Sequence, residues 1–131
     1  PQFRKFCKYA FSKGNCVVII DEAHNYVTKQ KILKEYNQLI LSGRPRGISV
    51  ISISTRPATL PNNVLTNAKH VFAFRLNIES DVKFLESWMG SEVWQLVAKN
   101  KRSKHQDMPE IPEHTFFYRN HDESVGQIGK V

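Results

Sequence analysis

Residues 15–24 read NCVVIIDEAH. Four apolar residues, Val17 to Ile20, run directly into two adjacent carboxylates, Asp21 and Glu22. A short continuous apolar run rich in β-branched residues reads as a strand buried on both faces, as in a parallel sheet. Functional groups in such sheets collect at the carboxyl ends of the strands, which is where the acid pair falls. Two readings of the pair stand side by side. Asp21 holds a metal ion and Glu22 polarises an attacking water, or both acids simply open a following helix, where negative charge is favourable.

Working outward, residues 1–12 place Phe3, Phe6, Cys7, Ala10 and Phe11 on one helical face, with Arg4, Lys5 and Lys8 on the other. Lys13-Gly14-Asn15 ends that helix. Residues 29–42 repeat the helical pattern through Ile32, Leu33, Tyr36, Leu39 and Ile40, and stop at the turn from Ser42 to Gly47. Residues 48–54, ISVISIS, predict a second strand. A two-proline loop and a short helix near Val64–Asn67 lead to a third strand over 69–76. Helices follow over 79–89 and 91–98, divided by Gly90. A basic stretch and a proline-marked loop precede a closing hairpin, 114–119 with 124–131, turning at Asn120-His121-Asp122-Glu123. The order strand, helix, strand, helix, strand predicts an α/β fold with a mainly parallel sheet and an antiparallel hairpin at the C-terminus.

The chain has 131 residues and a net charge of +7, which suits one domain biased toward polyanions. Nucleic acid is the first such partner and an anionic membrane surface the second, although a plain basic protein has the same charge. No apolar run reaches a membrane span, so no membrane insertion is expected. Cys7 and Cys16 form no metal-ligand pattern and read as thiols of a reducing compartment. The chain begins at Pro1, and a fragment of a longer protein is expected.

Nucleotide hydrolysis needs a metal near the phosphates, a group that orients water, and cations against the developing charge. Arg44 and Arg46 flank Pro45 just before the second strand, and Thr55 and Arg56 follow it. This order brings cations and a polar side chain to the sheet edge that holds the carboxylates. Solvated turn arginines, and a cap before Pro57, account for the same residues structurally.

VVIIDEAH, a helix, and GRPRGISVISISTRPATLPNNVLTNAKHVFAFRL, together spanning roughly residues 16–90, resemble the HerA–FtsK superfamily of P-loop DNA-pumping ATPases. The resemblance implies a RecA-like P-loop NTPase core. Asp21 would be the Walker B metal carboxylate and Glu22 the catalytic base. Arg44 of the Arg-x-x-Gly47 turn would be the arginine finger that reaches a neighbouring subunit, with Arg46 as its rival. Ser54-Thr55-Arg56-Pro57 would be the sensor segment, although the family usually carries Gln where Thr55 stands. ATP and Mg²⁺ are the implied cofactors. Double-stranded DNA and a homo-oligomeric ring, a hexamer, are the implied partners. The implied activity is ATP-driven DNA translocation, with a lean toward viral genome packaging in a host cytoplasm or a virion. The family's G-x-x-x-x-G-K-[ST] loop matches nothing in this chain. Residues 1–131 are therefore expected to be the C-terminal part of one RecA-like ATPase domain, with the phosphate-loop part missing and little nucleotide binding alone.

Two rivals compete. DEAH names a helicase family with the same carboxylates, but ISISTRP imitates its Ser-Ala-Thr segment poorly. A non-catalytic nucleic-acid-binding module would use Lys101, Arg102 and Lys104 with Lys99 and His105, and Lys29 and Lys31 form another candidate DNA-facing surface. Solvated loop and helix faces explain these cations equally. Trp88 and Trp94, at helical spacing with Phe84 and Leu85, read as core rather than as stacking platforms. His24 either touches the site beside Glu22 or is a surface histidine.

Overall fold

The computed structural model describes residues 2–122 and 127–130. The expected hairpin residues Glu123 to Gly126, and Val131, lie outside the described residues. The chain is mixed α/β and divides into two compact units, Pro1–Asn67 and Ala68–Val131.

The first unit contains α1 (Gln2–Lys13), β1 (Cys16–Ile20), α2 (Lys34–Ser42), β2 (Ile48–Ser52) and α3 (Asn62–Thr66). β1 and β2 pair in parallel, with Val18 opposite Val50 and Ile20 opposite Ser52. Cys7 and Ala10 of α1, Val18 and Ile20 of β1, Tyr36 and Leu39 of α2, and Ile48 of β2 form one buried cluster with Val27, Leu60 and Val64. A fully buried aliphatic or aromatic side chain in such a cluster stabilises the fold by about 1.5–3 kcal/mol. Tyr36 also reaches Ser52, Oη to Oγ at 2.8 Å, which fastens α2 to β2.

Three expectations change here. β1 is not buried on both faces: Val17 is 63% and Ile19 60% exposed, and Ile51 of β2 is 49% exposed. α2 starts at Lys34 rather than at residue 29. The Thr28 N–H donates to Lys31 O at 3.0 Å and the Lys31 N–H donates back to Thr28, and this turn occupies the Lys31 carbonyl that a helix would offer to the Glu35 N–H. The apolar stripe of α1 is only partly covered, with Cys7 and Ala10 buried but Phe6 exposed.

The second unit contains β3 (His70–Ala73), α4 (Glu79–Met89), β4 (Thr115–Asn120) and β5 (Gln127–Lys130). β3 does not extend a parallel sheet. It pairs antiparallel with β4, Phe72 opposite Tyr118, and β4 pairs antiparallel with β5. The expected closing hairpin is present as the β4–β5 pair. Alternation along β3 and β4 turns Ala73, Thr115 and Phe117 inward and leaves Phe72, Phe74, Phe116 and Tyr118 in ring contact on the other face. The expected helix over 91–98 is a 3₁₀ segment, Ser91–Leu96. Gly90, at φ 89°, ends α4, and the chain continues in i to i+3 hydrogen bonds such as Val97 N–H to Trp94 O. Trp94 is fully buried, as its helical spacing predicts.

Candidate functional site at the exits of β1 and β2

The carboxylates leave β1 as the sequence predicts, but they do not open a long helix. Asp21 and Glu22 form a turn, and Glu22 adopts a left-handed backbone, φ 47° and ψ 50°. That region is uncommon for a residue with a side chain and costs roughly 1–2 kcal/mol. The turn is clamped to the neighbouring strand, because Ala23 N–H donates to Ile53 O at 2.8 Å and Ile53 N–H donates to Ile20 O at 2.9 Å. A single 3₁₀ turn, Ala23–Asn25, follows.

Parallel pairing places the exit of β2 beside this turn. Glu22 Oε2 accepts the Thr55 hydroxyl at 3.0 Å and the Thr55 N–H at 3.4 Å. His24 Nδ1 lies 3.2 Å from the same oxygen and 2.9 Å from Ser54 Oγ. Ser54 Oγ in turn accepts the Arg56 N–H at 3.1 Å. The site therefore joins Glu22 and Thr55, as the residue order suggests, and adds His24 and Ser54. Ser54 belongs to the segment Ser54-Thr55-Arg56-Pro57 that the resemblance marks as the sensor, but its contact with His24 has no signal in the sequence. His24 was legible only as a neighbour of Glu22.

Asp21 is exposed at the strand tip, and its Oδ1 accepts the Glu22 N–H at 2.9 Å. An open cleft of about 350 Å³, lined by Phe3, Phe6, Ile19, Asp21 and Tyr26 among others, lies beside it. Among the described residues there is no group of three or more His, Cys, Asp or Glu that could hold a metal. One exposed carboxylate does suit Mg²⁺, which keeps most of its waters and takes its remaining ligands from a phosphate-bearing substrate.

The two turn arginines differ sharply. Arg46 Nε donates to Phe11 O at 2.9 Å and its Nη2 to Ser12 O at 3.3 Å, with the guanidinium 4.9 Å from the centre of the Phe11 ring. It thus caps the C-terminal carbonyls of α1. The Arg44 carbonyl accepts the Gly47 N–H at 3.0 Å, whereas its exposed side chain makes no hydrogen bond or ion pair among the described residues. Gly47 closes the turn at φ 69°, where a Cβ would come within 2.2 Å of Asn15 Oδ1. The Arg-x-x-Gly spacing thus meets a backbone demand of the β2 entry.

Of the candidate nucleic-acid residues, Arg102 is a correction. It is 4% exposed, and its guanidinium donates to Val97 O at 2.6 Å, Met108 O at 2.9 Å and His105 O at 3.1 Å. A planar fork with five N–H groups suits a loop rich in unpaired carbonyls. Lys101 and Lys104 remain exposed, as do Lys29 and Lys31. The Lys29 N–H donates to Thr59 O at 2.9 Å. Arg56 is half-buried at the start of the 3₁₀ turn Pro57–Thr59. The charge is unevenly divided. Residues 1–67 hold ten Lys and Arg against three Asp and Glu, and residues 68–131 hold nine against nine.

Burial pushes the Cys7 thiol up to about 11 and raises the Tyr36 phenol. The Glu35 carboxyl is held below its usual range by its own backbone N–H and then by Arg4, Lys8 and Lys34. Glu110 is lowered by the Lys99 N–H first and then by Arg75 and other cations.

No protein-family profile matches the sequence, and no curated protein does. Solved structures do match. The genome packaging NTPase B204 from Sulfolobus turreted icosahedral virus 2 with ATP-gammaS superposes at TM-score 0.76 and 19% identity, covering 98% of this chain and 60% of that one. Its AMPPCP complex gives 0.74 at 20% identity over 98% and 63%. The DNA-packaging ATPase B204 from Sulfolobus Turreted Icosahedral Virus gives 0.74 at 19% identity over 98% and 60%. The chain spans about 60% of the length of these proteins, and no helix among its described residues is long and apolar enough to cross a membrane. Nearly the whole chain therefore shares its fold with a viral genome packaging NTPase.

Proposed function

We propose that this chain is the Walker B-bearing part of a RecA-like ATPase domain that drives double-stranded DNA through a homo-oligomeric ring, a hexamer, in the packaging of a viral genome. The observation that carries the reading is the meeting of Glu22 with Thr55 across 3.0 Å at the exits of two parallel strands, on a fold shared with nucleotide-bound packaging NTPases. The missing phosphate loop belongs, in this reading, to a segment that precedes Pro1.

Each residue then has a task. Asp21 is the carboxylate for Mg²⁺, which when bound offsets charge on the nucleotide phosphates. Glu22 takes a proton from the attacking water. Its carboxylate meets Thr55 and His24 while Asp21 Oδ1 accepts the Glu22 N–H, and in this reading one acid serves the metal and the other the water. Thr55 orients Glu22 and senses the nucleotide through the β2 exit, with Arg56 alongside. Arg44, whose side chain is exposed and unpaired among the described residues, reaches into the neighbouring subunit's site. Arg46 is the weaker choice because α1 already holds it. The positive charge of residues 1–67 favours Lys29 and Lys31 over Lys101 and Lys104 as the DNA-facing cations.

The test is NTP hydrolysis by the whole protein with Mg²⁺, with and without duplex DNA. Glu22→Gln should keep nucleotide affinity and lose turnover by about a hundredfold or more. Hydrolysis at the original rate in Glu22→Gln removes Glu22 from the role of base. Absence of any NTP hydrolysis by the whole protein overturns the reading.

A further inference from the structure

His24 stands two residues beyond Glu22, and its side chain is 19% exposed. One ring nitrogen, Nδ1, faces two oxygens: Ser54 Oγ at 2.9 Å and Glu22 Oε2 at 3.2 Å. A bare Nδ1 lone pair would oppose the carboxylate across that second distance. A protonated Nδ1 instead presents an N–H within hydrogen-bond distance of Ser54 Oγ and 3.2 Å from the Glu22 oxygen. The hydrogen-bond partner decides which imidazole nitrogen carries the proton, and here a carboxylate selects Nδ1–H. We propose that His24 is a positioning residue for Glu22: its Nδ1–H, shared between Glu22 Oε2 and Ser54 Oγ, ties the direction of the Glu22 carboxylate to the state of the β2 exit.

The surrounding geometry makes this sharing consequential. The backbone of Glu22 is pinned, since its carbonyl accepts the Asn25 N–H at 2.9 Å and the next residue is bonded to Ile53. Its side chain is 40% exposed and is not confined by packing. Hydrogen bonds therefore choose where the carboxylate points. Oε2 meets the Thr55 hydroxyl, the Thr55 N–H and His24 Nδ1, so a water proton falls to Oε1, and the contacts at Oε2 set where Oε1 points. A shift of Ser54 toward His24 draws the Nδ1 proton off Glu22 and leaves the carboxylate held by Thr55 alone, free to swing about that contact. A shift away returns the proton and holds the carboxylate. Ser54 also accepts the Arg56 N–H, so the movement of Arg56 reaches Glu22 through His24. The hydrogen bond rests on geometry alone, and its consequence for turnover rests on the ATPase reading.

Imidazole ¹⁵N shifts of the protein test the bond directly. His24 is expected to carry a proton on Nδ1, and Glu22→Ala is expected to move it toward Nε2. A wild-type His24 protonated on Nε2 alone, or shifts unchanged in Glu22→Ala, overturns the proposal. Turnover by the whole protein tests the consequence. His24→Ala and His24→Gln should lower kcat by about ten- to a hundredfold with KM within about twofold. His24→Asn, whose amide nitrogen can stand where Nδ1 stood, should keep most of the rate. Equal losses in His24→Ala and His24→Asn overturn the positioning role. If the whole protein hydrolyses no NTP, the ATPase reading fails, and if Glu22→Gln hydrolyses NTP normally, Glu22 is not the base; the tautomer result is decided on its own in either case.

Discussion

Thr55 donates its hydroxyl proton to Glu22 Oε2 across 3.0 Å, from the exit of one parallel strand to the exit of the next. The two residues are 33 apart in sequence and meet only because β1 and β2 pair in register. Thr55→Val keeps the shape and removes the donor. Because the pair is exposed, the fold should lose no more than about 1 kcal/mol. Turnover of the whole protein should fall about tenfold or more, and Thr55→Ser should restore it. Kinetics beside a thermal melt of each variant separate the two effects, and a Thr55→Val enzyme of normal rate would detach Thr55 from the site.

Arg44 and Arg46 should separate under alanine substitution. Arg46→Ala removes two hydrogen bonds to the end of α1 and a contact with the Phe11 ring. It should lower stability by about 1–2 kcal/mol. Arg44→Ala should leave stability within about 0.5 kcal/mol and abolish turnover. Rings mixed from Arg44→Ala and Glu22→Gln subunits should regain activity, since the two defects fall in different subunits. Recovery with Arg46→Ala instead, and none with Arg44→Ala, would move the finger to Arg46.

Substitutions in the basic stretch should sort by burial. Arg102→Ala strips three backbone carbonyls of their donor and should cost about 3 kcal/mol in denaturant unfolding. Arg102→Lys should recover little, because one ammonium cannot reproduce the fork. Lys101→Ala and Lys104→Ala should leave the unfolding midpoint nearly unchanged. DNA affinity measured across salt concentrations should show a shallower slope in Lys29→Ala and Lys31→Ala, and an unchanged slope in both would remove that surface from DNA contact.

The titrations predict a pH window. Glu35 and Glu110 are depressed in the fold, so they contribute stability above the ordinary carboxylate range of about 4.3 and lose it as pH falls through their lowered values. Cys7 is raised to about 11, so its contribution is complete below the ordinary thiol range and is lost as pH rises toward that value. Tyr36 is raised in the same direction. Thermal melts from acid to alkaline pH should show a plateau at neutral pH with losses at both ends. Cys7 should also resist alkylation at pH 8 until the chain unfolds, and rapid labelling of native Cys7 would contradict its burial.

Much of this architecture was legible because its causes are local. Four apolar residues before two acids make a strand and a polar exit wherever the chain goes. Gly90 ends α4 by its own backbone freedom, and Gly47 closes the Arg-x-x-Gly turn for the same reason. The antiparallel β4–β5 pair and the burial of Trp94 likewise follow from alternation and spacing near in sequence.

The sequence by itself determined which segments are strands, which residues leave them, and that Asp21, Glu22 and Thr55 stand at strand exits. Tertiary structure alone decided which residues those exits meet. It paired β3 with β4 instead of extending a parallel sheet, and it shortened α2 through the Thr28 turn. It assigned Arg46 to α1, buried Arg102 in its own loop, and set His24 against Ser54, thirty residues away. The physical reason is common to these cases. An arginine, a histidine or a strand edge carries unspent hydrogen-bonding capacity, and the chain's path through space determines which acceptor lies within about 3 Å of it.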